Sequence, residues 1–368
     1  MHERILRSPG RLALATALLA AVTSGCSNGT DESDDGPADP PAPSGNLQQA
    51  LAEMPSSTSY FEFRDVHAAE KRLDVEDADR KDYLKATAQD MGWAASTLVP
   101  YLGVAGLPWK ATDIAWEAVT DEAPDGLTFR QLEPETDLRA AVDTFKAAGY
   151  EVERDDESGV VLTAEIGDLD EKLAEYLIPF GLSVLIRPDE QLVVSTPSLA
   201  ALDAYIDGGE SLADAGTYDG LITAESMGIE YVFGSTDARI CKPSPALSQL
   251  QTSTEAVEKA LEPYEELRTP RAAAISIGPV DGEPAAAARL RFTDASAAEA
   301  DLDARKALLE DGTSLVNQKP YSEYFAVDDI STDGAVTSIA LAPSAPAMTV
   351  VTMIHSQEAP FYACSPTS

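Results

Sequence analysis

Few residues in this 368-residue chain have the types that covalent chemistry needs. Three histidines and three cysteines stand among 63 acidic and 26 basic residues. A histidine-based triad would have to use His67 or His355, since His2 precedes the first apolar run. His67 opens a polar helical pattern and His355 ends an apparent strand, so both read as surface or structurally satisfied histidines. No G-x-S-x-G elbow, Walker loop, H-E-x-x-H helix or G-x-G-x-x-G fingerprint occurs. Zinc would need more histidines or unpaired cysteines than the chain offers. Paired carboxylates do occur, as Asp155-Asp156 and Asp328-Asp329. A glycosidase needs two such carboxyls at a set separation across a cleft. In so acidic a chain they arise by chance, and both pairs read as solvated turns. No catalytic residue, cofactor or metal is assigned.

The cysteines say more. Arg4, Arg7 and Arg11 form a basic start, Leu12 to Val22 is apolar, and Thr23-Ser24-Gly25 lead into Cys26. This is the layout of a secretory signal. It resembles a bacterial lipobox, with Thr23 where leucine is usual. That resemblance implies a diacylglycerol on the Cys26 thiol, cleavage after residue 25, and firm attachment to the outer face of the cell membrane. The apolar run is too short for a retained membrane helix. Cys241 and Cys364 then remain as an even pair in an oxidising compartment, which suggests a disulfide. Closing so long a loop contributes roughly 4–5 kcal/mol in the chain-entropy view. Two separate buried thiols are the alternative.

Behind Cys26 comes an acidic, Pro-rich tether, 26–45, too polar to fold. Its nineteen residues after the cysteine reach roughly 60 Å when extended. Asp31, Ser33, Asp35 and Gly36 fit part of a calcium loop, but Ala42 occupies the position that requires a bidentate glutamate. Without residues 1–25 the chain keeps 23 basic and 62 acidic residues, a net charge of −39. Such a field repels nucleic acid, so no nucleic-acid partner is expected.

The body divides into a first domain, 46–225, and a second, 226–368. Tyr60 to Arg64 reads as a strand, followed by helix-compatible residues 67–90. Strands are predicted at Ile114–Val119 and Leu127–Leu132. A helix follows with Pro134 in its first turn and Leu138, Val142 and Phe145 on one face. Hairpins follow at Tyr150–Glu165 and Leu182–Ser195, with short helices at 168–178 and 197–206. The second half opens with a strand at Ile229–Phe233 and a helix at 254–267. Strands at Ala272–Ile277 and Ala286–Phe292 precede a helix capped by the Ser296-x-x-Glu299 box. A meander of Tyr324–Val327, Val336–Leu341 and Met348–His355 completes it. The fold class is therefore α+β, two similar domains of antiparallel sheet with helices packed on one face. The shared order suggests an internal duplication near 225.

Met91 to Trp109 carries no charge over nineteen residues and is broken by Pro100, Gly103, Gly106 and Pro108. It reads as a buried helix ending near Val99 and a packed loop. A sharper reading makes Trp93, Tyr101, Leu107 and Trp109 an apolar ligand site.

YFEFRD, GLPW, DIAWEAV, LRAAVDTFKAAGY and STPSLAALDAYIDGGESLADAGTYDGL occur in this order. In that layout the chain resembles a class of uncharacterised lipoproteins from high-GC Gram-positive bacteria. The resemblance spans most of the body and implies a two-part α+β ectodomain on the cell surface, with no activity or site residues to carry over. The leading expectation is a non-catalytic, membrane-tethered lipoprotein that binds an apolar ligand or an envelope protein. An envelope hydrolase using paired carboxylates and a structural assembly factor are the alternatives.

Overall fold

The computed structural model describes residues 45–364, except 77–79, 90–91, 122–125, 170–179, 223–226, 237–261, 265, 315–317, 345–347 and 356–359. The signal, nearly all of the tether, Cys26 and Cys241 lie outside the described residues. So do most of the helices expected over 168–178 and 254–267. Among the described residues no helix is long and apolar enough to cross a membrane.

Twelve strands form one antiparallel sheet in the order β11-β12-β10-β9-β8-β1-β2-β3-β7-β6-β5-β4. From the first half come β1 (Tyr60–Arg64), β2 (Ile114–Thr120), β3 (Thr128–Leu132), β4 (Glu151–Asp156), β5 (Gly159–Thr163), β6 (Ser183–Arg187) and β7 (Leu192–Thr196). From the second come β8 (Tyr231–Thr236), β9 (Ala272–Val280), β10 (Glu283–Arg291), β11 (Phe325–Asp333) and β12 (Val336–Pro343). The fold is α+β, and both halves contribute to this one sheet. The opening strands of the halves, β1 and β8, pair at its centre, with Glu62 opposite Phe233. Outward from there one side runs β1-β2-β3-β7-β6 and the other β8-β9-β10-β12-β11, with β5 and β4 as an extra hairpin on the first. Gly234 makes the central pairing possible: a Cβ there would stand 2.1 Å from the ring of Phe61 on the opposing strand.

The alternation of side chains along each strand gives the sheet two faces. The front bears Phe61, Phe63, Trp116, Phe129 and Val194, all buried. Among the described residues three helices cover it over the first half: α1 (Gly45–Glu53), α5 (Leu199–Ile206) and α6 (Leu212–Ala215). The back bears two cores. One lies over β8–β12 beneath α7 (Ala295–Asp311) and α8 (Met348–His355). The other lies over β3–β7, with α4 (Leu138–Ala147) and Tyr83 of α3 (Arg80–Gln89) in it. Helix α2 (Val66–Leu73) touches both, through Val66 on one side and Ala69 on the other.

Several expected elements differ. Met348–His355 is a helix, not a strand: Val350, Val351, Met353 and Ile354 are all buried against the back of the sheet. Burial there overrides the strand preference of its β-branched residues. Helix α7 begins before the expected box, because Asp294 accepts the Ala297 amide at 2.9 Å and caps it. Helix α4 starts after Pro134, capped by Asp137. Ser198 caps α5, which therefore begins at Leu199, two residues after the expected 197. The carboxylate pairs lie in strands, Asp155-Asp156 closing β4 and Asp328-Asp329 at a bulge in β11. Between Gly92 and Tyr101 two 3-10 turns replace the expected helix.

Candidate functional site

Three ionisable residues sit side by side on the back of the sheet, where chains normally place apolar ones. Arg64 on β1 faces Glu117 on β2, which faces Arg130 on β3. Glu117 is fully buried and Arg130 nearly so. A bulge between Ile114 and Trp116 sets the β2 register, so that Ile114 and Glu117 pair with Leu132 and Arg130. Arg130 Nε donates to Glu117 Oε2 at 2.8 Å, and Arg64 Nη1 stands 3.7 Å from Oε1. The uncharged loop closes the seam from above. The Thr97 amide donates to Glu117 Oε1 and its hydroxyl to Oε2, each at 3.0 Å. Ser96 Oγ adds a bond of 3.3 Å. Burial alone would raise the Glu117 pKa; the charges of Arg130 and Arg64 and the Thr97 amide overcome it and hold the carboxyl below its usual range.

The seam reaches the surface at Glu62. Its Oε1 is 2.8 Å from His355 Nε2 at the end of α8 and also accepts from Tyr60, while Oε2 pairs with Arg64. Burial is again opposed, here by the His355 hydrogen bond and the Arg64 charge, and the Glu62 pKa falls to about 2. Every carboxylate in the seam is thus ionised and satisfied, which describes a structural clamp between the two back-face cores. Glu70, on α2, has the opposite fate. Burial pushes its pKa up to about 7 against the Tyr83 hydroxyl at 2.6 Å, with Glu133, Glu76 and Asp113 adding repulsion. It lies under Tyr83 and is only 6% exposed, so it does not open to a substrate.

The four residues expected to form an apolar site are divided. Trp93 is buried in the core over β8–β12, with the Arg72 guanidinium 5.5 Å above its ring. Trp109 is buried in the other core, against Phe145 and Phe180, and Tyr101 and Leu107 pack half-buried beside it. Among the described residues the four are thus split between two cores and do not line one common pocket. Their segment lacks charge because it roofs the seam and touches the core on each side. His67 is half-exposed, its Nδ1 2.9 Å from Glu133. Cys364 packs against the β8–β12 core, where Arg305, ion-paired with Asp301, holds the Ala363 carbonyl at 2.7 Å.

A ligand-sized opening lies on the other side of the sheet. Over β10, β12 and β11 the front face forms a groove of about 640 Å³, within the range of small-molecule and peptide sites. Ala285 and Ala287 of β10 and Ala340 and Ala342 of β12 make its floor. Met227, Val280 and Pro284 make one wall. That wall is held by close approach: a Cβ on Gly278 would lie 1.8 Å from the Gly228 carbonyl. Arg289 and Arg291 pin the neighbouring loop, donating to the carbonyls of Gly220 at 3.1 Å and Thr217 at 2.9 Å. Glu283, Asp328 and Asp329 line the groove as well. Ser331 and Ser338 line it too, while no histidine, cysteine, lysine or tyrosine is among its described lining residues. Sequence reading placed these strands but missed the surface, because alanine suits buried and open positions alike. Its trace is the alanine-rich hairpin from Ala272 to Ala288, whose front-facing Ala272 and Ala274 are buried in the front core while Ala285 and Ala287, farther out, are only partly buried.

No protein-family model and no curated protein matches this chain. Among solved structures it is similar to crystal forms III, I and IV of TP0453, at 9%, 9% and 11% identity. The TM-scores are 0.40, 0.38 and 0.39. The matches cover 82%, 83% and 84% of this chain and 97%, 96% and 100% of the others. A likeness of that size leaves function to be argued from the geometry of this chain.

Proposed function

We propose that this chain is a lipid-anchored, extracytoplasmic binding protein of the lipoprotein class it resembles. It holds a component of the cell envelope against the front of β10–β12 and performs no catalysis. The open, alanine-floored groove is the observation that carries this reading. Beside its alanine floor stand the exposed carboxylates of Glu283, Asp328 and Asp329, so the groove pairs an apolar strip with charged groups that can orient a partner. Cys26 and the acidic tether support the location: lipid at one end, and a spacer whose charge keeps the body off an anionic bilayer. Pairing of Cys241 with Cys364 belongs to the same reading, as a staple on the C-terminal tail.

The test is purification of the membrane-extracted protein under mild conditions, beside an Ala340→Glu variant, with mass spectrometry of bound lipids and proteins. A component retained by the natural chain and lost by the variant is expected; equal retention by both overturns the groove as the site. Cys26→Ser should appear in the medium or as uncut precursor. A processed variant that stays on the membrane overturns the lipid anchor.

A further inference from the structure

We infer that the groove's occupant is an amphipathic α-helix with a basic flank, supplied by another protein; the inference rests on the groove being the binding surface. Three observations converge on it. The first is dimension. The floor spans β10, β12 and β11, two inter-strand steps of about 4.8 Å, so its width of about 10 Å matches a helix with its side chains. Along β10 it runs from Glu283 to Arg289, roughly 20 Å, the length of about 13 helical residues.

The second observation is the fold's own use of this face. Over the first half the same side of the sheet is covered by helices, Leu47 and Leu51 of α1 and Leu202 of α5 packing on Phe61, Trp116 and Phe129. There the floor is aromatic and the covering helices bring Leu47, Leu51, Leu202 and Tyr205. Over β10–β12 the floor is alanine, and it needs the larger side chains to come from the occupant. Among the described residues an acyl chain would find a floor and one wall.

The third is charge. Glu283, Asp328 and Asp329 are exposed at the groove. Arg289 is the one cation lining it among the described residues, and it is turned to the Gly220 carbonyl. Lysine or arginine beside the occupant's apolar stripe complements that rim, and acidic flanks would be repelled.

The experiment uses the mature chain and three 18-residue peptides followed by fluorescence anisotropy. One, of Leu, Ala and Lys, has its apolar residues on a single helical face. The second has the same composition with those residues scattered, and the third carries Glu for Lys. Palmitate is the lipid probe. The Lys helix should bind, the scattered and Glu peptides should not, and Ala340→Glu should weaken binding by about tenfold or more. Asp328→Lys with Asp329→Lys should shift preference toward the Glu peptide, with thermal melts confirming that both variants fold. Binding of the scattered peptide as tightly as the helix, or indifference to Ala340→Glu, overturns the inference. Palmitate binding that Ala340→Glu abolishes, without helix binding, overturns the helix and leaves the groove as the site. Indifference of all four probes to Ala340→Glu overturns both.

Discussion

The front of the sheet is treated differently over its two halves. After β7 the chain turns to the front, and α5 and α6 join α1 over β1–β7. After the corresponding strand β12, the next described helix is on the back: α8 packs beneath the sheet with α7. The floors have diverged accordingly. Phe61, Phe63, Trp116 and Phe129 lie under the covered stretch, whereas Ala285, Ala287, Ala340 and Ala342 line the open one. Large apolar side chains are stable only where something excludes water from them. The alanine floor thus exposes little apolar surface where no described element covers it, and on the proposed reading a partner covers it instead. Arg289 and Arg291 mark the border, tying the last covering loop to β10.

The largest expected effect tests the covered side. Phe129 is fully buried and stacks edge-on with Tyr205 at 5.4 Å. Phe129→Ala should cost about 3–5 kcal/mol in urea unfolding. A cost below about 1 kcal/mol would show that the helices cover this face only loosely, and the contrast with the open stretch would collapse.

The back face sharpens the contrast, because there two carboxylates are covered with opposite success. Glu62 is held at about 2 against an ordinary 4.5. A depressed acid stabilises the fold above its unfolded value, and that stability is lost as pH falls through 4.5 towards 2. Glu62→Gln should therefore cost about 3 kcal/mol at pH 7, since it leaves Arg64 half-paired, and much less near pH 3. A pH-independent cost would remove the ionic role. Glu70 is raised to about 7 from 4.5, so its fold prefers the protonated form. Its contribution is full below pH 4.5 and fades as pH rises through 7. Glu70→Gln, which mimics the protonated acid, should stabilise the protein by about 1–2 kcal/mol at pH 8 and by nearly nothing at pH 4, judged by thermal melts. The opposite trend would mean that Tyr83 does not shield it.

Much of the fold is legible in the sequence. Strand alternation at Tyr60–Arg64 and the turn residues around the hairpins place most of the sheet, and the matching order of the halves appears as matching strand order about the centre. What escaped is set by contacts between distant segments. Met348–His355 has strand residues and becomes a helix because of what it lies against. The uncharged stretch 91–109 signals burial but not that it bridges two cores, so Trp93 and Trp109 looked like one site. The charged seam is invisible for a related reason. Glu62, Arg64, Glu117 and Arg130 alternate with aromatic residues as solvent-facing positions do, and the roof of Ser96 and Thr97 over Glu117, with His355 over Glu62, turns that face inward. The groove was silent because alanine is compatible with every environment.

The smallest expected effect is the most direct on the open stretch. Ala340 is exposed at the middle of the floor, beside Ala287 on β10 and Asp329 on β11. A glutamate there finds water in front of it and no core to disturb, so Ala340→Glu should change unfolding free energy by no more than about 0.5 kcal/mol. The same charge placed under a covering layer would cost several times that, because it would be buried without a partner. A loss above about 2 kcal/mol in the isolated protein would mean that part of the chain already occupies the groove. The two stretches of the front face would then both be covered from within, and the open stretch would no longer be available to a partner.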